Sequence, residues 1–475
     1  MDISGLSNAF AIMYNLPFRG RFAGPFNMEK LFGTDGIRGR AGEFPLDKKT
    51  VGIIAASLAR QFREQLGRDP RFVTGRDTRD SGEWIENAFL AGARSENATG
   101  QSANVITTPG VAYVTKAFDF DAGIVISASH NPFHDNGIKI FLPSGKKFSE
   151  EAERRIEAEI DTISTDRVSA TTPLAESTRS GEFRSAYLDH LKSIVNGFSA
   201  ADTRIVVDCA NGAASDFAPG LFADLGADVV AIHNQPDGRN INKNCGSLHL
   251  EDLQTRVLNE RADFGVAFDG DADRALFVDE SGNVIDGDAT LWIMTQYLRS
   301  HGKVANSTVV ATVMSNIGLE LALESKGIKL LRADVGDKYV LEELLKTDSE
   351  IGGEQSGHII FPEISLVGDG MMTALLLLRA IREKGVSLSR AADGFVRYPQ
   401  ILKNVSVREK RPFDDVPEIA AAAKRVQDEL DGGGRLLLRY SGTENLARVM
   451  IEGRDRSTIE DLAKRLANVI ENVLG

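Results

Sequence analysis

Ile205-Val206-Val207-Asp208-Cys209-Ala210-Asn211-Gly212-Ala213-Ala214 reads as a buried strand that runs into a polar, glycine-bearing turn. A helix through Leu225 and a second short strand over Asp228 to Ile232 follow. The same phrase occurs twice more. Arg71-Phe72-Val73 leads through the turn GRDTRDSG, Gly75 to Gly82, and a helix from about Trp84 to Arg94 into Asn104-Val105-Ile106. Val309 to Val313 leads through MSNIG, Met314 to Gly318, and a helix to Ser325 into Ile328 to Leu331. Strand and helix alternating at this spacing imply βαβ units with parallel or mixed sheets. The stretches between copies are long and irregular, so duplicated domains fit better than a solenoid.

A polar, Ser/Thr-rich run from Thr162 to Ser180 separates the first copy from the second. Tyr398-Pro399 and the charged stretch Arg408 to Asp415 introduce a C-terminal piece of different character. That piece ends in a helix, where Ser457 and Glu460 form a capping box and Ile459, Leu462, Leu466, Ile470 and Val473 repeat at helical spacing. The fold class is α/β: three tandem α/β domains with mixed sheets over residues 30–182, 183–285 and 286–397, plus a smaller C-terminal α+β domain over 398–475. Residues 1–29 read as an N-terminal extension. Their basic residues come after the apolar part, the reverse of a secretory signal, which leaves a non-targeting segment or a mis-assigned start with Met28 as initiator.

The 475 residues carry 55 Lys plus Arg against 68 Asp plus Glu, a formal charge of −13. Nucleic acid and anionic membrane surfaces repel such a chain, so neither is expected as a general partner. With 42% hydrophobic and 26% charged residues it reads as a globular protein able to bury several cores. Its longest apolar run, Met371 to Leu378, is far too short to span a bilayer. Cys209 and Cys245 are too few for a disulfide framework and form no CxxC pair, which fits a reducing cytoplasm.

Chemistry concentrates in the loops. Asp269-Gly270-Asp271-Ala272-Asp273-Arg274 lies between the strand-like stretches Phe264 to Phe268 and Ala275 to Val278. Carboxylates at alternate positions converge well on one hard cation. An acidic surface turn is the plain alternative. An EF-hand fits less well, because Arg274 stands where that loop needs Gly and strands flank it. A Mg²⁺ site is the favoured reading. Ser127-Ala128-Ser129-His130-Asn131-Pro132 follows the apolar run Gly123 to Ile126, and a serine at the carboxyl end of a strand sits where α/β folds place reactive groups. No glycine flanks it, which argues against an acyl-transfer elbow, and an ordinary Ser/Asn-Pro turn stands beside the functional reading.

Asp135-Asn136-Gly137-Ile138-Lys139 reads as a tight turn entering a strand. Three loops combine glycine with a fixed cation: Gly33-Thr34-Asp35-Gly36-Ile37-Arg38-Gly39, Gly75-Arg76-Asp77-Thr78-Arg79, and Arg439-Tyr440-Ser441-Gly442-Thr443-Glu444. Backbone N–H groups and a guanidinium suit a phosphate, although most such turns are only turns. Gly352-Gly353-Glu354-Gln355-Ser356-Gly357-His358 offers several hydrogen-bonding groups between glycines and suits a hydroxyl-rich ligand. In so acidic a chain, Arg38, Lys139, Arg274 and Arg439 must concentrate positive potential locally if the substrate is an anion.

Together, in this order and from residue 31 to 453, these motifs resemble the α-D-phosphohexomutase family over nearly the whole chain after the extension. GTDGIRG, SASHNP, DGDADR, GGEQSGH and RYSGTE, with the stretch Pro236 to Ser247, look like the versions of the branch that works on glucosamine phosphates. The resemblance implies four domains around a central cleft that holds the active site. It also implies interconversion of the 6-phosphate and the 1-phosphate through a phosphoserine and a 1,6-bisphosphate. Ser129 matches the phosphorylated serine, and Asp269, Asp271 and Asp273 match the ligands of one Mg²⁺ per subunit, with the Ser129 phosphate as a further ligand. Glu354 and Ser356 match sugar-hydroxyl contacts. Arg439, Ser441, Gly442 and Thr443 match the loop for the non-reacting phosphate, with Arg448 as a supporter.

Lys139, Arg38, His130 and His358 fall where the family puts proton-transfer and phosphoryl-stabilising groups, and Lys139 or His358 is the candidate base. The resemblance further implies a small-molecule sugar phosphate as partner, a homodimer, and a catalytic trace of hexosamine 1,6-bisphosphate as activator. A phosphoserine adds about −2 beside three carboxylates. At ~5 Å and an effective dielectric of about 20, each unit pair repels by roughly 3 kcal/mol, so the cluster calls for a divalent cation. The chain departs from the family at Asn445, where Pro is usual, at Tyr440, and at Leu366-Val367, where Thr-Thr is usual.

Overall fold

The computed structural model describes residues 31–33, 35–145, 148, 150–160, 179–304, 306–441 and 445–475. The extension over 1–29 and residues 162–178 of the Ser/Thr-rich run lie outside these.

The first sheet holds β1 (Phe32–Gly33), β2 (Gly36–Arg40), β3 (Arg71–Arg76), β4 (Thr99–Val105), β5 (Ala122–Ile126) and β6 (Asp135–Phe141), in the order β1-β2-β6-β5-β3-β4. The second holds β7 (Arg204–Asp208), β8 (Asp228–Ile232), β9 (Phe264–Phe268), β10 (Ala275–Asp279) and β11 (Val284–Ile285), in the order β11-β10-β9-β7-β8. In the third, β12 (Thr308–Thr312), β13 (Lys329–Ala333), β14 (Gly352–Gly353) and β15 (Ile359–Ile360) run β13-β12-β14-β15.

One four-strand unit repeats in all three. The first strand pairs in parallel with the second on one side and the third on the other, and a fourth strand folds back antiparallel on the third. The orders β6-β5-β3-β4, β10-β9-β7-β8 and β15-β14-β12-β13 are therefore the same order written three times. The helices Gly82–Ser95, Ala218–Asp224 and Ile317–Glu324 make the crossover from first to second strand, where the repeated sequence phrase places them. In each unit the third and fourth strands meet in a turn at the carboxyl end of the parallel strands. Those turns are Ser127 to His134, Asp269 to Arg274, and Glu354 to His358.

The strands are apolar because both faces are covered: every residue of β5, β9 and β10 is buried. One core runs through all three units, from Val73, Ile106 and Val111 through Val207, Phe264 and Phe277 to Leu319, Met371 and Leu375. The helix Ser180–Ile194 threads it with Phe183, Tyr187 and Leu191 at helical spacing and spans the join drawn between residues 182 and 183.

A fourth, antiparallel sheet of β16 (Gln400–Ser406), β17 (Gly434–Tyr440) and β18 (Leu446–Gly453), in the order β16-β18-β17, has its own core with the helices Pro417–Leu430 and Arg456–Leu474. Ile459, Leu462, Leu466 and Ile470 are buried there. The cap of the last helix is Asp455, not Ser457: the Asp455 carboxylate accepts from Thr458 N at 2.7 Å and from Ser457 Oγ at 2.6 Å. A carboxylate carries full charge at the positive helix end, and so wins the position from a hydroxyl two residues on. Arg435 of β17 donates to the carbonyls of Val313 (2.8 Å) and Ser315 (3.0 Å), and to buried Glu452 of β18 (2.9 Å). Glu452 also accepts from Ile317 N at 3.2 Å, so the fourth sheet grips the turn that opens the third unit's crossover helix.

Tyr187 ties the threading helix to the third unit. Its hydroxyl donates at 2.8 Å to buried Asp369, which caps the helix Gly370–Lys384 through Met372 N at 3.0 Å. Tyr187→Phe removes a hydrogen bond to a buried carboxylate and is expected to cost about 1–3 kcal/mol. A thermal scan should show a lowered transition with the far-UV spectrum unchanged.

Candidate active site

The turn after β5 carries Ser129 with its backbone in the left-handed region, φ 53°. That conformation costs a non-glycine residue about 1–3 kcal/mol, so its surroundings must hold it there. Ser127 Oγ accepts from Ser129 N at 2.9 Å, and the Ser129 hydroxyl donates to Asp269 Oδ2 at 2.5 Å. Arg79 is buried and ion-paired with Asp77, and it donates to the carbonyls of Ser129 (3.2 Å) and Asn131 (2.5 Å). His130 Nδ1 lies 3.3 Å from Ser129 Oγ and 3.0 Å from Arg274 Nη1.

Opposite Ser129 stands the turn between β9 and β10. Asp269, Asp271 and Asp273 are buried, and one carboxylate oxygen of each lies within 4.8 Å of the others. Lys139 reaches into them from β6, with Nζ 2.9 Å from Asp271, 3.2 Å from Asp273 and 3.0 Å from Asp35. Thr108 Oγ1 donates to Asp271 at 2.6 Å. Arg38, on the neighbouring strand β2, pairs with Asp35 just before that strand. After these bonds Asp271 Oδ1 and Asp273 Oδ1 remain buried acceptors without a hydrogen bond. Buried anionic oxygens pointing into an all-carboxylate cluster suit a hard divalent cation, and the triad can hold a metal ion.

Burial with Asp273 and Asp271 alongside pushes Asp269 above the usual carboxylate range. Burial works against the Lys139 ammonium, but Asp271, Asp35 and Asp273 outweigh it and hold the lysine protonated. The two histidines move in opposite directions. Burial, then Arg274 and Arg38, pull His130 down to about 4, so its ring is neutral at pH 7. His358 lies 3.7 Å from Asp273 and 3.8 Å from Asp337. Burial opposes its charge, yet Asp273, Asp337 and Glu354 raise it to about 9. One neutral and one cationic imidazole therefore face the same triad.

The third unit's turn joins this cluster through its backbone. Gly357 O accepts from Ala275 N at 3.1 Å, and Gly370 N donates to Ala272 O at 3.0 Å. Glu354 accepts from Gly336 N and from Ser356 Oγ, both at 3.1 Å. Gln355 Nε2 donates to buried Asp288 at 3.2 Å. The structure thus brings together Ser129, His130, Lys139, Arg38, the three aspartates and His358, with Glu354 and Ser356 on the adjoining turn. Arg439 and Arg448 are cross-strand partners on β17 and β18, and Ser441 Oγ accepts from Arg448 Nη2 at 3.4 Å. Gly442 and Thr443 lie outside the described residues. Tyr440 stacks on Phe413 at 4.2 Å and donates to Arg411 O at 2.6 Å, which turns its ring toward the fourth sheet's own core.

Sequence reasoning passed over Asp35, Arg79, Thr108 and Asn242. Asp35 and Arg79 sit inside quoted motifs. Asn242 lies inside the quoted stretch Pro236 to Ser247 but had no role assigned, and Thr108 carries no local signal; only the tertiary fold brings them to Ser129 and Asp271.

The chain matches four descriptions of the phosphoglucomutase/phosphomannomutase family: alpha/beta/alpha domain I over residues 29–167, domain II over 185–282, domain III over 286–398, and the C-terminal domain over 402–469. It belongs to that family. The phosphoglucosamine mutase of Solibacter usitatus is 48% identical over 445 residues, covering 94% of this chain and 99% of that protein. A phosphoglucomutase/phosphomannomutase family protein from Burkholderia thailandensis shares the fold with a TM-score of 0.75 at 21% identity, over 93% of this chain and 97% of that one. So does Aspergillus fumigatus N-acetylphosphoglucosamine mutase, solved in complex with GlcNAc-6P and magnesium: TM-score 0.63, 20% identity, 94% and 96% covered.

Two outcomes are expected. A Cβ at Gly270 would lie 2.5 Å from the Ser129 carbonyl oxygen. Gly270→Ala should therefore displace the serine turn from the triad and lower turnover on the order of 100-fold, read in a mutase assay. In the dephosphorylated protein the His130 ring should titrate near pH 4 by NMR. Its folded value lies below the unfolded one, so the stability it contributes is full above about pH 6.5 and is lost as pH falls toward 4.

Proposed function

We propose that the protein interconverts glucosamine 6-phosphate and glucosamine 1-phosphate, the activity of a phosphoglucosamine mutase, with Ser129 carrying the phosphoryl group. The observation that carries this is the Ser129 hydroxyl held 2.5 Å from a buried aspartate triad, in a chain 48% identical to a phosphoglucosamine mutase. Phospho-Ser129 gives its phosphoryl group to O1 of the 6-phosphate: the Oγ–P bond breaks, the O1–P bond forms, and the O1 proton passes to the serine oxygen through a nearby base. The 1,6-bisphosphate then turns over. Ser129 Oγ attacks the C6 phosphate, O6 leaves as a hydroxyl, and glucosamine 1-phosphate departs. Substrate and product are isomers, and the enzyme returns phosphorylated.

Side chains divide by charge. Neutral His130, 3.3 Å from Ser129 Oγ, is placed to orient that oxygen together with Arg274. Lys139 and His358 hold their protons in this state, so stabilising the phosphoryl oxygens and protonating the leaving oxygen suit them better than the base role. Arg38 extends that positive field. Glu354 and Ser356 would take the sugar hydroxyls, and Arg439, Ser441, Gly442, Thr443 and Arg448 the phosphate that is not reacting. Asp269, Asp271, Asp273 and the serine phosphate would hold one Mg²⁺, which supplies charge neutralisation of the transferring group. A trace of hexosamine 1,6-bisphosphate is the proposed activator.

The domain plan 30–182, 183–285, 286–397 and 398–475 stays a proposal, supported by the threefold strand order. Among the described residues no helix is long and apolar enough to cross a membrane. We propose a cytoplasmic homodimer acting on a small sugar phosphate; the last part is supported by the structural relative solved with GlcNAc-6P.

A coupled assay with Mg²⁺ and a trace of hexose 1,6-bisphosphate, given glucosamine, glucose and mannose 6-phosphates separately, should show a clear preference for the first. Ser129→Ala should lose on the order of 10⁴-fold or more with its melting temperature kept. Near-normal turnover in that variant would end the phosphoserine reading, and preference for glucose or mannose would reassign the substrate.

A further inference from the structure

We propose that Asn242 is a positioning residue for Ser129, reaching across from the second unit to hold the serine turn in its left-handed conformation. The inference rests on the reading of Ser129 as the phosphoryl carrier. Asn242 Nδ2 donates to the Ser129 carbonyl at 2.9 Å and to the Asn131 carbonyl at 3.0 Å. A side-chain amide has two N–H donors, and each has one carbonyl here. These carbonyls lie on either side of His130, so the amide pins the turn where its backbone departs from the β region. Arg79 grips the same two oxygens from within the first unit. The strained residue is thus held by one donor group from each unit.

A brace must itself be anchored. Asn242 N donates to Ala210 O at 2.9 Å. Further along the loop, Gly246 N donates to Asp208 at 2.9 Å, and Asp208 also accepts from Ala210 N at 2.8 Å and faces His233 Nδ1 at 3.1 Å. The start of the loop is tied by Gln235 N to Asn211 at 3.2 Å. Its tip crosses to the first unit, where Arg239 Nε donates to Asp80 at 2.9 Å and Asp80 N donates to Gly238 O at 3.0 Å. The stretch from Gln235 to Gly246 is therefore a strap fixed at both ends on the second unit and stapled to the first.

Room for adjustment is small. A Cβ at Gly270 would lie 2.5 Å from Ser129 O and 2.9 Å from Asn242 Nδ2, so the serine carbonyl, the amide and the aspartate loop meet at one point. Without the amide donors, Arg79 is the one donor left to the serine carbonyl among the described residues, and the aim of Oγ at Asp269 is no longer over-determined. The effect should fall on phosphoryl transfer and spare the binding of the sugar phosphate.

Arg79 is too deeply built into its ion pair to test cleanly. Asn242 offers a better experiment, because its own backbone is left-handed, φ 57°, which Asp and Gly tolerate. Asn242→Asp keeps the shape and turns both donors into acceptors facing carbonyls. Asn242→Gly keeps the backbone and removes the side chain. Each should be measured for melting temperature, for kcat and KM on glucosamine 6-phosphate with Mg²⁺, and for the rate of Ser129 phosphorylation by hexose 1,6-bisphosphate, followed by intact mass. The expected result in both is a fall of kcat and of the phosphorylation rate on the order of 10- to 100-fold, with KM within about twofold and a lowered melting temperature that still leaves the protein folded at the assay temperature. Wild-type kcat and phosphorylation rate in both variants would overturn the proposal, as would a loss of activity that follows loss of folded protein. A wild-type enzyme that isomerises normally in that comparison keeps the parent reading intact. One that neither takes phosphate on Ser129 nor isomerises overturns both.

Discussion

Three carboxylates buried within 4.8 Å of one another are a costly feature of this molecule, and the elements around them serve to make them tolerable. Asp269, Asp271 and Asp273 belong to a single turn, so their mutual repulsion cannot be relieved by moving strands apart. Relief comes from other elements: Lys139 from β6, Thr108 from the start of a helix in the first unit, Ser129 from the turn after β5, and Arg274 next in sequence. The first and second units are thereby locked together at the triad. Two carboxylate oxygens still lack a hydrogen bond, which leaves an electrostatic place for a divalent ion.

The same local geometry, used three times, produces a site that no unit makes alone. Each unit returns its fourth strand antiparallel on its third, which throws a turn outward at the carboxyl end of the parallel strands. In the first unit the turn holds a serine, in the second the aspartates, in the third Glu354, Ser356 and His358. A backbone bond from Ala275 to Gly357 fastens the second turn to the third, and one from Gly370 to Ala272 fastens it to the start of the helix Gly370–Lys384. The first-strand turns, which in many α/β folds bind ligands, here mostly serve as sockets between units. Asp208 and Asn211 anchor the strap that carries Asn242, and Ser315 and Asn316 receive Arg435 and Glu452 from the fourth sheet.

Legibility followed the range of the interactions involved. β9 falls where its apolar run says, because a strand covered on both faces must be continuously apolar, and the half-buried edge strand β8 matches its run as well. The C-terminal helix kept its buried stripe, while its cap moved to Asp455, since two polar residues two positions apart competed for one position and local pattern ranks them poorly. Ser129, the aspartates and the Gly353–Gly357 turn stood out as dense local clusters of polar groups and glycine. Charge states did not. Lys139 looks like any surface lysine in the chain, and only its burial among Asp271, Asp273 and Asp35 makes it a fixed cation. His130 and His358 are indistinguishable by type: burial opposes the charge of both, Arg274 and Arg38 push His130 further down, and Asp273, Asp337 and Glu354 outweigh burial at His358.

By itself the sequence determined the elements and the residue types available in each turn, which depend on near neighbours, and their threefold repetition and the family, which depend on the order of local motifs along the chain. Only the tertiary structure decided which turn faces which, that Ser129 Oγ points at Asp269, that Lys139 enters the triad from another sheet, and that Asn242 reaches the serine carbonyl from 113 residues away. Those contacts join segments far apart in the chain. Their existence depends on how the sheets pack and where burial removes water, and a one-dimensional pattern records neither.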